Sequence, residues 1–213
     1  MAEQNMHRPR RTPRQERSRR HVNAILDAAT LVFAEVGYDA ATTNAIAERA
    51  GTSIGSLYQF FPHKAALFHA VTERYHSQLR ELLDRVVTVE VAQRPLADMI
   101  DRVIEAFWSF TQQQQGFTQI ILSTHLSPEL QAQENALLRE SIERVDAILG
   151  VRAPALSPER RRLIATVVLH AVNALLMLGA ISEPSFGTQV IGETKALVQA
   201  YLERVLNNEH MEH

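Results

Sequence analysis

Apolar residues recur at intervals of three and four along almost the whole chain, and this helical periodicity limits the folds available to it. The first stripe contains Val22, Ile25, Ala29, Val32 and Phe33. The alternation typical of strands is scarce, and glycine and proline residues separate one stripe from the next. We therefore predict an all-α protein of about nine helices.

The punctuating residues give approximate helix boundaries. Gly37 ends the first helix, Thr42 or Thr43 and then Ser53 can cap two short helices, and Pro62 precedes a long one. The remaining helices are predicted at about 95–114, 117–125, 128–149, 157–181 and 188–207. A boundary near residues 65–80 then separates a three-helix unit from a larger bundle.

Composition excludes several kinds of site. The chain has no cysteine, which removes disulfides, thiolate metal sites and cysteine nucleophiles and fits a reducing cytoplasm. The N-terminus lacks the apolar segment of a secretory signal. His69 and His76 lie seven residues apart on a predicted helix, too far to ligate one metal unaided. Without a nucleophile–base pair or a cofactor motif, we expect no metal, no cofactor and no enzyme.

One segment has the length and polarity of a membrane span. Leu163 to Ile181 carries no formal charge, and its length is close to the roughly 20 residues that cross a bilayer. It contains Thr166, His170 and Asn173, and it stands alone. The alternatives are a membrane span and a helix buried in a protein assembly. We favour the second and expect no membrane partner.

Charge is distributed unevenly along the chain. Residues 1–20 hold seven arginines and two glutamates, a formal charge of +5, whereas the whole chain carries −2. A basic arm before an acidic body predicts a polyanionic partner. A disordered tail that only aids solubility is the alternative.

Residues 42–61, TTNAIAERAGTSIGSLYQFF, have the spacing of a helix-turn-helix. Ala47 is small where two helices would cross, Gly51 permits a sharp turn, and Ile46, Ile54 and Leu57 can form the core between them. The second helix would expose small polar groups without acidic repulsion, which suits a major groove. A plain αα-hairpin is the alternative.

Three motifs at fixed spacing resemble those of one known family. They are F-x-x-x-G-Y from Phe33 to Tyr38, T-x-x-x-I-A-x-x-A-G from Thr42 to Gly51, and L-Y-x-x-F-P-x-K-x-x-L from Leu57 to Leu67. Over about the first third of the chain, the sequence resembles the DNA-binding domain of the TetR/AcrR family of transcriptional regulators. The resemblance implies a basic arm at 1–16, a DNA-binding domain at 17–76, and an effector-binding and dimerisation domain at 77–213.

The resemblance also implies which residues contact double-stranded DNA. Tyr58 and Lys64 would bind backbone phosphates, and Gln59 can pair bidentately with adenine. The arm would follow the backbone or enter the minor groove. The complete predicted set is Arg17, Thr42, Thr43, Asn44, Thr52, Ser53, Gly55, Ser56, Tyr58, Gln59 and Lys64.

Phe60 departs from the family pattern, in which tyrosine or histidine is frequent, so a phosphate contact there is in doubt. We expect Phe60 or Phe61 to pack against Phe33 and Phe68 instead.

The last two predicted helices are apolar enough to form a homodimer interface. An effector site is predicted from aromatic, apolar and polar residues in the same part of the chain, with a packed core as the alternative. Its candidates are Met99, Val103, Phe107, Trp108, Phe110, Phe117, His125, His170 and Asn173.

These observations predict a homodimeric repressor that a small hydrophobic effector releases from a pseudo-palindromic operator. The alternatives are a helical interaction module that does not bind DNA and, with least support, a small helical enzyme.

Overall fold

The computed structural model describes residues 13–114 and 128–208, and every regular element within these ranges is an α-helix. The all-α prediction is confirmed. The nine described helices are α1 Pro13–Ala40, α2 Thr43–Arg49, α3 Ile54–Phe60, α4 Lys64–Val86, α5 Val89–Ala92, α6 Leu96–Gln113, α7 Pro128–Arg152, α8 Pro158–Ile181 and α9 Pro184–Asn208. The predicted helix 117–125 lies outside the described residues, and the short α5 was not predicted.

Two helices begin earlier than predicted. α1 begins at Pro13, so residues 13–16 of the expected arm are helical, and it continues through a kink at Gly37, where φ is 75°. α9 begins at Pro184 and not near residue 188. Proline suits a first helical position because its missing N–H is not needed there. A hydrogen bond from the Gly187 N–H to the Glu183 carbonyl closes the first turn of α9.

The chain divides into two units between Val71 and Thr72, within α4. In the first unit, α1, α2, α3 and the start of α4 enclose a small core. Its aromatic centre is Phe33, whose ring lies edge-on 5.1 Å from Phe68. The largest fully buried side chains of this unit are Ile25, Phe33, Ile46, Leu57 and Leu67.

One expectation about this core is wrong, that for Ile54, and another holds for only one of the two residues it named. Phe61 is buried as predicted, but Phe60 is 37% exposed and its ring lies 5.6 Å from that of His21. Ile54 is 36% exposed and does not fill the core between α2 and α3. α3 is only two turns long, and its inward-facing residue is Leu57, which is fully buried.

In the second unit, α8 packs against both α7 and α9. The two-residue connection between α8 and α9 makes them antiparallel neighbours. Their approach is closest at two glycines. A Cβ atom on Gly187 would lie 2.6 Å from the Gly179 carbonyl oxygen, and one on Gly179 would lie 3.2 Å from the Trp108 ring. The two helices and the indole therefore fit together only without side chains at these positions.

Among the described residues, α8 is the one helix whose length and apolar composition would let it cross a bilayer. Only 22% of its most apolar window is buried within the chain. The rest of α8 presents apolar surface that the chain itself does not cover.

We expect Gly187→Ala to lower the free energy of unfolding by about 1–3 kcal/mol, because the new methyl group would overlap a backbone carbonyl that cannot rotate away. Gly150→Ala in α7 is the matched control, since its Cβ would meet only the Arg161 side chain at 3.5 Å. Alanine should be neutral or slightly stabilising there. Chemical denaturation of both variants makes the comparison, and equal effects would contradict the close approach.

Candidate functional site

The turn between α2 and α3 has the geometry that the sequence predicts. Thr42, rather than Thr43, caps α2, with its Oγ1 accepting a hydrogen bond from the Ala45 N–H at 3.1 Å. Ser53 caps α3 by accepting one from the Ser56 N–H at 3.1 Å. Between them, Gly51 has φ of 62°, the left-handed conformation that favours glycine. These contacts fix the direction in which α3 leaves the turn.

α3 presents an exposed surface, called here the α3 face, made of Ser53, Ile54, Gly55, Tyr58 and Gln59. It contains no acidic residue. The Tyr58 side chain is 48% exposed, and its hydroxyl lies 3.1 Å from Thr43 Oγ1. The structure therefore brings together two hydroxyls that the sequence assigned to phosphate contacts, although they lie in different helices.

His21, which the sequence analysis missed, joins α1 to the start of α3. Its Nε2 lies 3.0 Å from Ser56 Oγ and 3.3 Å from Thr52 Oγ1. Ser56 and Thr52 are half-buried, and both hydroxyls contact this nitrogen within the protein, while their predicted contacts with DNA stay predictions. No local pattern connects His21 with residues more than thirty positions away, and only the tertiary structure reveals the contact.

Lys64 is also used within the protein. Its Nζ donates to the Tyr38 carbonyl at 2.7 Å and to the Asp39 carbonyl at 3.0 Å, and it lies 4.5 Å from the centroid of the Tyr38 ring. These contacts stabilise the end of α1. An ammonium group has three donors, so one remains for the predicted phosphate contact.

The other predicted DNA contacts lie on the surface. Asn44 in α2 and Arg17 in α1 are both exposed. Residues 1–12 of the basic arm lie outside the described residues, and its contact with DNA stays a prediction.

The second unit contains an apolar cavity of about 240 Å³. Five of the predicted effector-site residues line it: Met99, Val103, Phe107, Phe110 and Asn173. Trp108 does not, because its ring packs at Gly179 and Gly187 on another side of α6. His170 does not either, since it is exposed and its Nδ1–H donates to the Thr166 carbonyl at 2.8 Å. Phe117 and His125 lie outside the described residues.

Glu134 is the one charged residue among the described residues that line the cavity. Its Oε2 lies 3.3 Å from Nε2 of the fully buried His76. Tyr75 lines the cavity beside it, and burial, together with the Glu134 charge, raises the pKa of Tyr75 well above its usual value. Sequence analysis had assigned no role to Tyr75 or Glu134, because neither belongs to a recognisable motif.

Two lining hydroxyls already use their hydrogens. Thr111 Oγ1 donates to the Trp108 carbonyl and Ser141 Oγ donates to the Leu137 carbonyl, both at 2.8 Å. Because these hydrogens are already donated within their own helices, the two hydroxyl oxygens can mainly accept hydrogen bonds from a ligand. In the described part of the chain, no three histidine, aspartate or glutamate residues lie close enough together to hold a metal ion.

We expect His21→Ala to lower the free energy of unfolding by about 1–2 kcal/mol, because it removes two partly buried hydrogen bonds and the contact with Phe60. Asn23→Ala, an exposed position two residues further along α1, is the control and should change it by less than about 0.5 kcal/mol. Thermal or urea unfolding gives both values. An unchanged stability for His21→Ala would show that this residue does not stabilise the position of α3.

Two family models match the sequence. Bacterial regulatory proteins of the tetR family match residues 25–71, and the tetracyclin repressor-like C-terminal domain matches residues 95–202. The first match contains α2 and α3, and the second contains most of the helices that surround the cavity.

Individual relatives agree with these matches. The HTH-type transcriptional activator FasR of Mycolicibacterium smegmatis is 33% identical over 163 residues, which cover 74% of this chain and 69% of FasR. A TetR-family regulator from Streptomyces coelicolor is 26% identical with a TM-score of 0.59, over 87% of this chain and 99% of that one. A complex of SmeT with triclosan has a TM-score of 0.62 at 24% identity, over 84% of this chain and 91% of that one.

Proposed function

The chain belongs to the TetR family of bacterial regulatory proteins, and we propose that it is a homodimeric repressor whose DNA binding responds to a small apolar effector. The coarser part of this statement follows from the family: the chain is a transcriptional regulator with a helix-turn-helix domain and not an enzyme. Dimerisation and the effector are supported by separate features of the structure, and repression by a general argument given below.

The α3 face carries the proposal for DNA recognition. Gln59 is exposed and can donate to and accept from one adenine, while Ile54 offers an apolar surface for a thymine methyl group. Gly55 lacks a side chain, and nothing lies within 4 Å of the position a Cβ would take, so the helix surface is low between them. Tyr58 and Thr43 flank this surface with hydroxyls suited to phosphate.

Selection from a random duplex library tests DNA recognition directly. We expect the full-length protein to enrich one sequence of pseudo-palindromic form, because a two-fold symmetric dimer presents two identical α3 faces. Enrichment of no sequence at low salt would contradict the proposal. Enrichment of a single, non-repeated half-site would contradict dimeric binding but not DNA recognition.

We expect Gln59→Ala to weaken binding to the selected operator by about 1–3 kcal/mol and to relax the preference at one base pair in each half-site. Binding to unrelated DNA should change little, because phosphate contacts are retained. Gln93→Ala, an exposed glutamine in the second unit, is the control. Fluorescence anisotropy at one fixed salt concentration measures the affinity of the wild type and of each variant for the operator and for unrelated DNA. Equal losses on operator and unrelated DNA would show that Gln59 does not read a base.

The exposed apolar surface of α8 and α9 supports a homodimer. Six large apolar side chains of these two helices are exposed in the single chain: Leu163, Val167, Leu178, Ile181, Phe186 and Leu197. Small residues lie among them, including exposed Ala174, Gly192 and Ala196. A contiguous surface of this kind is costly in water, and two helices from each copy would bury it as a four-helix interface.

We expect Leu197→Glu to shift the protein from dimer to monomer, because it places a charge in the centre of that surface. Val89→Glu is the matched control, since Val89 is 57% exposed in α5 and Leu197 is 52% exposed in α9. Sedimentation of both variants at micromolar concentration makes the comparison. A dimeric Leu197→Glu protein, or a wild-type monomer, would contradict the interface.

Repression is proposed because it requires only that the operator be occupied, whereas activation also needs a contact with the transcription machinery. FasR is named an activator, so this choice needs its own test. Transcription in vitro from a template that carries the selected operator should fall when the protein is added. A rise in transcript would replace repression by activation and leave DNA recognition unaffected.

A further inference from the structure

The cavity contrasts an almost wholly apolar wall with a single carboxylate. Leucine, valine, isoleucine, methionine and phenylalanine side chains form most of the lining, so a ligand would gain most of its affinity from buried apolar area. Any polar group of that ligand must still find a partner, since an unpaired polar group is costly to bury. The chemistry of the few polar side chains therefore determines which polar group is accepted.

Five polar side chains line the cavity among the described residues, and one of them, Glu134, carries a formal charge. Thr111 and Ser141 donate their hydroxyl hydrogens to carbonyls of their own helices, so their oxygens offer a ligand acceptors. The Tyr75 hydroxyl and the Asn173 amide can donate as well as accept, but neither carries a charge. Within the described lining, Glu134 is therefore the group that distinguishes a cationic ligand from an anionic one.

No cation lines the cavity among the described residues. The nearby arginines of α4 and α7 are engaged elsewhere, Arg80 with Glu140 at 2.9 Å and Arg144 with Asp84 at 2.7 Å. An anionic ligand would thus lose its hydration without gaining an opposite charge, and Glu134 would repel it.

Resting on the proposed effector function, we propose that this cavity selects apolar molecules whose polar group is a neutral or cationic hydrogen-bond donor, bound by Glu134. Carboxylates with the same apolar chain bind more weakly. Because the Glu134 side chain is 38% exposed, its charge is partly screened, and the discrimination is moderate.

Three probes that share a ten-carbon chain test this selectivity: decylamine, decan-1-ol and decanoate, each below its micelle-forming concentration. Near pH 7 the amine is protonated and the acid is ionised. Titration calorimetry on the full-length protein without DNA should give about one site per protomer. We expect decylamine to bind most tightly, decan-1-ol next, and decanoate at least about tenfold more weakly than decylamine.

Two variants test whether a preference for cations comes from Glu134 or from the negative charge of the protein in general. Glu134→Gln should reduce the ratio of decylamine to decanoate affinity to below about threefold. Glu140→Gln makes the same change of charge on α7 at a residue that does not line the cavity, and it should keep the wild-type ratio. Circular dichroism checks that both variants fold, and the wild-type ranking decides the question if Glu134→Gln does not.

Three results would overturn the proposal: decanoate binding as tightly as decylamine, a ratio that survives Glu134→Gln, or no binding of any probe. None of these measurements uses DNA, so loss of selectivity is distinguishable from failure of operator binding. Conversely, a protein that selects no operator but shows the expected ranking would retain the cavity proposal and lose the regulatory one.

Discussion

The close approach of α8 and α9 at Gly179 and Gly187 is the constraint on which much of the second unit depends. The Trp108 ring lies against both glycines, which fixes the rotation of α6 about its axis. With the indole on that side, Phe107 and Phe110 of the same helix line the cavity. One contact thus positions a cavity wall and also orients α8 and α9, whose exposed apolar side chains form the interface proposed for a second copy of the chain.

In the first unit, several polar side chains predicted to bind DNA also make hydrogen bonds within the protein. Among the hydroxyls near α3, Ser53 caps the helix, while those of Ser56 and Thr52 meet His21. The Lys64 ammonium uses two of its three N–H donors in hydrogen bonds to carbonyls at the end of α1. We therefore expect base reading to depend on fewer side chains than the motif alone implies, with Gln59 the most important of them.

Glu134 connects the two themes of the second unit. It lines the cavity and also contacts His76 of α4, alongside two further pairs between α7 and α4, Glu140 with Arg80 and Arg144 with Asp84. A donor of the proposed ligand would share this carboxylate with His76 of α4, so a movement of Glu134 towards the ligand competes with its contact to His76. Because a ligand shifts an equilibrium only by its different affinities for the two states, such competition is a physical route from cavity occupancy to α4.

Sequence by itself determined the helical architecture, a cap at Thr42 or Thr43, the cap at Ser53, the left-handed turn at Gly51 and the family, because these depend on local spacing and backbone conformation. Contacts between distant residues were decided only in the tertiary structure. His21 beneath α3, Ile54 at the surface, Trp108 turned away from the cavity and Glu134 turned towards it leave no local signal, since each follows from how helices rotate against one another when they pack.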